Sequence, residues 1–303
     1  MSAPTLSAAE PVSPVPPTSA RLSRGPDRRR HRSPLRWLVL VAAGLFALLV
    51  LAPVLLLVLN AFKTGGDYSA HGPLALPTTF SLDSFARYLQ IVDYPRALWN
   101  SVVISTLVAV LGATLSLVSA YAIGIGRVRG SGVLLALFLL ATMLPQESLI
   151  YPLFYGAQAT GTFNTVWSVV IVFTVLQGAF GTYLLASVTS TVPKELLEAA
   201  ALDGAGRWRI LTSVVFPILR PTLSVLVVFF FIWTWNEFYI PLVLLSDQSA
   251  QTVPIALATL QGQNSINVTV LNAGSLLSLL PTLVFFLIFQ RTLSRGVTAG
   301  SVK

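Results

Sequence analysis

The side chains in this sequence that could do chemistry are few, and two of them are acids placed where acids are expensive. Glu237 lies in the apolar run FIWTWNEFYIPL, with Trp233, Trp235, Asn236 and Tyr239 around it. Aromatic faces stack on the C–H face of a sugar ring, while an amide and a carboxylate satisfy its hydroxyls. Trp235, Asn236, Glu237 and Tyr239 are therefore candidates for a substrate pathway. The same groups also hold helices together through buried hydrogen bonds, and both readings stand open. Glu147 follows Pro145 in a second apolar run, MLPQES. An acid within a span faces a cavity or a partner by default, but near the end of its span Glu147 would simply be solvated.

The longest interior stretch that keeps charge is Val192–Pro221, VPKELLEAAALDGAGRWRILTSVVFPILRP, with Lys194, Glu195, Glu198, Asp203, Arg207, Arg209 and Arg220. Pro193 suits the first turn of a helix, and Glu195 and Glu198 follow near its positive end. Leu196, Ala199 and Ala200 share a face, and Gly204 offers a left-handed stop. A second helical run starts near Arg207. Amphipathicity alone makes this hairpin a connector between two spans. Other chemistries lack their residues. There is no G-x-x-x-x-G-K-[ST], H-E-x-x-H or G-x-S-x-G, the glycine-rich stretch 124–130 has the wrong spacing for a phosphate loop, and the histidines are His31 and His71 alone. With no cysteine, disulfides, thiolate catalysis and cysteine-ligated metals are excluded.

These residues must be positioned by membrane helices. Charged residues make up 10% of the chain and mean hydropathy is +0.77, against about 25% charged in soluble domains. The expected fold class is all-α, a polytopic membrane protein with six transmembrane helices: Trp37–Leu59, Leu98–Ile125, Val133–Tyr155, Val166–Val188, Pro221–Leu245 and Leu271–Phe289. The expected organisation is a disordered basic tail over 1–33, a membrane domain over 34–290 with the hairpin at about 192–210, and a tail over 291–303. The net charge of +8 comes mainly from the N-terminal tail, which anchors that end and gives no reason to expect nucleic acid. Sixteen Lys and Arg fall in the tails and the loops on their side, against Lys63, Arg87 and Arg96 on the other side, so both termini are expected in the cytoplasm. The external segment from Lys63 to Pro95 reads as an extended stretch followed by a short helix at the membrane surface. A second external segment runs from Asp247 to Asn272.

Glu198-Ala199-Ala200, Gly204 three residues beyond Ala201 and Pro217 thirteen residues further on resemble the EAA loop of ABC-importer permeases. The run PKELLEAAALDG resembles the carbohydrate-uptake, maltose-type branch, here its shorter permease subunit. WNEF at 235–238 is similar to that branch too, as is the G-x-T-x-G-x-V-K ending at Gly296, Thr298, Gly300, Val302 and Lys303. Phe216 departs from the Leu of many relatives and keeps a large apolar side chain.

The resemblance implies the type I permease fold, with span one packed on a partner permease. Glu198, Ala199, Ala200, Asp203 and Gly204 would couple to an ATPase. Gln261, Gly262 and Gln263 would lie in a loop toward a binding protein, and Gly296, Thr298, Gly300 and Lys303 in a tail between ATPase subunits. The implied function is import of a sugar or oligosaccharide by alternating access. The implied partners are a second homologous permease, two ATPase subunits, an external sugar-binding protein and membrane lipid. No cofactor is expected in this chain, Mg-ATP residing on the ATPase, and the chain itself is not expected to be an enzyme. The expected place is a bacterial-type inner membrane. A self-sufficient secondary transporter or a polytopic membrane enzyme is the alternative; the first needs helices interrupted at matched positions of two halves, the second a convergent acid, base or metal set.

Overall fold

In lipid every backbone N–H and C=O must find its partner within the chain, and all the regular structure among the described residues is helical. The computed structural model describes residues 34–126, 128–260 and 267–299. By contacts the chain forms two units, 1–51 and 52–303, whose boundary falls inside the first helix, α1 (Pro34–Ala61). From Trp37 to Leu51, α1 exposes an unbroken apolar surface.

In the second unit, α2 (Gly65–His71) and α3 (Asp83–Ile91) precede α4 (Tyr94–Gly124). Next come α5 (Ser131–Met143), α6 (Ile150–Ala159) and α7 (Val166–Thr189). The most extensive helix pair is α4 with α7. Small residues allow it: Ala109, Gly112, Ala113, Ser116 and Ala120 on α4 meet Gly178, Gly181 and Thr182 on α7, all buried. A Cβ on Gly181 would collide with Ser116 Oγ and the Phe230 ring. The Ser116 hydroxyl is itself buried and donates to the Gly112 carbonyl at 2.7 Å.

The hairpin helix α8 (Lys194–Leu202) is followed by α9 (Arg207–Ile210), a wide π-helical turn (Leu211–Val215) and α10 (Phe216–Asn236), which packs on α4. The Phe216 N–H bonds the Leu211 carbonyl five residues back. In a regular helix the Pro217 ring would meet the Ser213 carbonyl, and the widened turn relieves that clash. Span five therefore starts at Arg207 and ends at Asn236, where the sequence places it over Pro221–Leu245. The short helix α11 (Tyr239–Leu244) is separate.

The third expected span, Val133–Tyr155, is also not one rod. The stretch Ser131–Met143 meets Gln146–Ala159 at a 96° bend. Leu144 is extended, with ψ 130°, as a residue before proline prefers, and Pro145 follows. Five helices are long and apolar enough to cross a membrane, and the bent pair makes six if it counts as one span.

The last helix, α13 (Val268–Ala299), runs beyond Phe289, so the segment expected to be a free tail from Arg291 starts as helix. At the end of the bundle away from the hairpin, α3 packs on α13, and Ser84 Oγ donates to Thr269 Oγ1 at 2.8 Å. The stretch before α12 (Val253–Thr259) is held on α4. Asn100 Nδ2 donates to the Ser249 and Gln251 carbonyls, and the Val253 N–H to Ser101 Oγ at 2.9 Å. The expected surface helix is α3; α2 was not foreseen.

Candidate functional site

At the hairpin end, α8 begins just after Pro193, whose φ of −58° is pre-set for a helix start. Its stop is a Schellman closure: the Gly204 N–H bonds the Ala201 carbonyl and the Ala205 N–H the Ala200 carbonyl, both at 3.0 Å. Gly204 has φ +79° with open space where a Cβ would stand, so it is backbone conformation that selects glycine. Leu197 and Ala200 turn partly inward, and Leu197 packs against the cluster that holds Ala120, Leu185 and Leu211. The other side faces out. Glu198, Ala199 and Asp203 are exposed, with Leu196 at 48%, Leu202 at 89% and Trp208 at 71% exposure. Neither acid has an ion-pair partner among the described residues. Of the face expected from spacing, Leu196 and Ala199 are turned to solvent. Behind the hairpin the Tyr121 hydroxyl donates to the Arg207 carbonyl at 3.0 Å, beside a pocket of about 270 Å³.

The acids of the two apolar runs lie at two breaks that the fold brings together. Glu237 terminates α10, and its half-buried carboxylate lies beside the start of α11, near the Phe238 and Tyr239 backbone. The turn carrying Glu147 packs against α11, the short helix that follows Glu237. Asn236, Phe238 and Tyr239 are exposed at the break, and Asn236 Nδ2 donates to the Ile232 carbonyl at 2.7 Å. Trp235 is buried, stacked on Phe231, which in turn stacks on Phe285 of α13 at 3.9 Å. Trp233 packs with Phe180 and Phe229. Both tryptophans are thus occupied by the protein's own rings, while Asn236 and Tyr239 are exposed and Glu237 is half-buried.

Sequence reasoning missed Gln177. This buried residue of α7 donates Nε2–H to Thr234 Oγ1 of α10 at 2.9 Å, one turn before the break. A lone amide within VFTVLQGAF was the available signal. Gln261, Gly262 and Gln263 lie outside the described residues, as do Gly300 and Lys303; Gly296 and Thr298 fall within α13.

Comparison with known proteins gives a consistent result. Residues 112–298 match the family described as binding-protein-dependent transport system inner membrane component. The arabinooligosaccharides transport system permease protein AraQ of Halalkalibacterium halodurans is 31% identical over 91% of this chain and 99% of its own length. The trehalose/maltose transport system permease protein MalG of Thermococcus litoralis is 30% identical over 88% of this chain and 97% of its own. Among solved structures, a chain of a bacterial ABC transporter that imports the polysaccharide alginate superposes with a TM-score of 0.69 at 21% identity, over 88% of this chain and 99% of that one.

Proposed function

This chain belongs to the family of inner membrane components of binding-protein-dependent transport systems, and from that premise we propose how it works as the membrane-spanning permease of a sugar ABC importer. The substrate is a sugar or oligosaccharide handed over by an external binding protein, as in the transport systems of its relatives. A second permease completes the pathway, and two ATPase subunits carry Mg-ATP and supply the energy. Both termini and the hairpin lie in the cytoplasm, where the ATPases are.

One observation carries the mechanism. The second arm of the exposed hairpin is itself the start of span five, which runs from Arg207, one short turn beyond α8, to the break after Asn236, about 45 Å at 1.5 Å per residue. A push on α8 is delivered along that rod to Asn236, Glu237 and Tyr239. ATP-driven closure of the ATPase pair thereby rocks the permease and exchanges the side from which the solute is reached. Leu196, Ala199 and Leu202 give α8 an apolar face for an ATPase cleft, and Glu198 and Asp203 give it unpaired charge for basic residues there. The end of α13 supplies a second contact with the ATPases.

The test is a pair of variants. Gly204→Val puts a β-branched residue into the left-handed region, a strain of about 1–2 kcal/mol, and Glu198→Lys reverses the charge of the docking face. Each is expected to weaken recovery of the ATPase in pull-down, or to uncouple hydrolysis from transport in reconstituted membranes, at unchanged expression. Full docking and coupled transport in both would reduce the hairpin to a connector.

A further inference from the structure

The segment between α2 and α3, residues 72–82 (GPLALPTTFSL), is tied down by its backbone and turns its large side chains outward. Lys63 Nζ donates to the Gly72 carbonyl at 2.8 Å and Asn60 Nδ2 to the Pro73 carbonyl at 3.1 Å. The Asp67 carboxylate accepts from the Thr78 N–H at 3.1 Å and the Thr78 hydroxyl at 2.9 Å. The Ser81 N–H closes on the Phe62 carbonyl at 2.9 Å. All these anchors lie on the last turn of α1 or just beyond it, and Asn60, Lys63 and Asp67 are buried by the contacts. On the other side Leu74, Leu76, Phe80 and Leu82 are 67–78% exposed. The segment contains no Lys, Arg, Asp or Glu, and its two prolines, Pro73 and Pro77, remove two N–H donors.

We propose that residues 72–82 form a wedge inserted into the membrane interface beside the end of α1, with Leu74, Leu76, Phe80 and Leu82 among the lipid chains. Three observations select lipid over a protein occupant. The apolar run Trp37–Leu59 of α1 spans about 34 Å, enough to cross ~30 Å of hydrocarbon, so the segment starts where the hydrocarbon ends. The chain itself holds the segment through the N–H groups of Gly72, Thr78 and Ser81 and the carbonyls of Gly72 and Pro73, and at the interface water stays within reach of the rest of its backbone. A protein-facing patch carries a polar, charge-bearing rim, whereas this segment carries no charged side chain. Insertion by about 5–10 Å is typical of interfacial segments. The wedge fixes the height at which α2 and α3, and through them the start of α13, sit in the membrane. It does not depend on which solute is carried.

The absence of native cysteine makes the test direct. Single Leu76→Cys, Phe80→Cys and Ser69→Cys variants of the full chain, recovered with its co-assembling subunits, are spin-labelled in phosphatidylethanolamine–phosphatidylglycerol vesicles. Labels at 76 and 80 are expected to relax several-fold more with oxygen than with a polar nickel complex, and Ser69→Cys to show the reverse. Quenching of a fluorophore at 76 by lipids brominated near the headgroup is expected as well. A second variant, Asp67→Ala, removes the acceptor of both Thr78 bonds and is expected to shift the label at 76 toward the nickel complex. The proposal is overturned if labels at 76 and 80 are as open to nickel as the one at 69. It is equally overturned if a short cross-linker joins them to a co-assembled subunit in place of lipid quenching.

Discussion

Glu237 ends α10 and sets its carboxylate beside the start of α11. Glu237→Gln keeps a hydrogen-bond acceptor there and is expected to assemble normally while altering transport affinity or rate. Glu237→Leu removes the acceptor as well as the charge; it should be the worse of the two in reconstituted uptake. Normal uptake with Leu would take this residue out of the pathway. Asp67 is the corresponding case outside the membrane. Burial works to raise its pKa, but hydrogen bonds from the Thr78 backbone and hydroxyl and from His71 outweigh it and hold the pKa below the ordinary 3.8. A depressed carboxylate contributes stability above its unfolded pKa and loses it as pH falls through the folded one. The Asp67–Thr78 clasp is therefore expected to persist down to the ordinary carboxylate range and to open only below it. A spin label at Leu76 followed through an acid titration reads this; mobilisation near neutral pH would contradict it.

At the level of elements, the α4–α7–α10 junction is set by how closely three backbones approach. Gly181 is the tightest point, facing Ser116 and Phe230. Gly181→Leu overpacks this junction, at a cost of about 1–3 kcal/mol or more. It is expected to lower the thermal unfolding temperature of the solubilised protein and to impair transport without touching the hairpin. The Gln177–Thr234 bond crosses the same junction and locks the end of α10 just ahead of the break. Hydropathy draws two straight spans through residues 133–155 and 221–245 because both breaks are apolar on either side. The sequence showed Pro145 and Pro241 but not which peptide would give way.

For the whole molecule the decisive measurement is sidedness. Ser69 is exposed on α2, whereas nearby Asp67 is clasped and 7% exposed, so Ser69 is the better external probe. Cysteine at Ser69 is expected to react with an impermeant reagent in intact cells, and cysteine at Gly130 or Asp203 to be protected; the reverse pattern would invert the orientation. Truncation before Gly296 removes the last helical residues of α13 and the end of the chain, well past Phe289. Membrane insertion should survive it, while transport or the regulation of ATP hydrolysis should fall; wild-type behaviour in both would mark a frayed end.

Class, a count of five to six spans and the hairpin with its glycine stop were legible in the residues themselves. Lipid forces apolar runs into helices, and a left-handed stop depends on the one residue that adopts it, so both are local consequences of sequence. The candidate site was legible only in part: spacing found Glu198, Gly204 and Glu237, but not the burial of Trp235 or the role of Gln177. Those depend on neighbours distant in the chain, Phe285 of α13 and Thr234 of α10. The 96° bend, the packing of the Glu147 turn on α11 and the clasped external segment likewise arise where separate elements meet. Only the tertiary structure decided them, because packing chooses among conformations that hydropathy leaves equally acceptable.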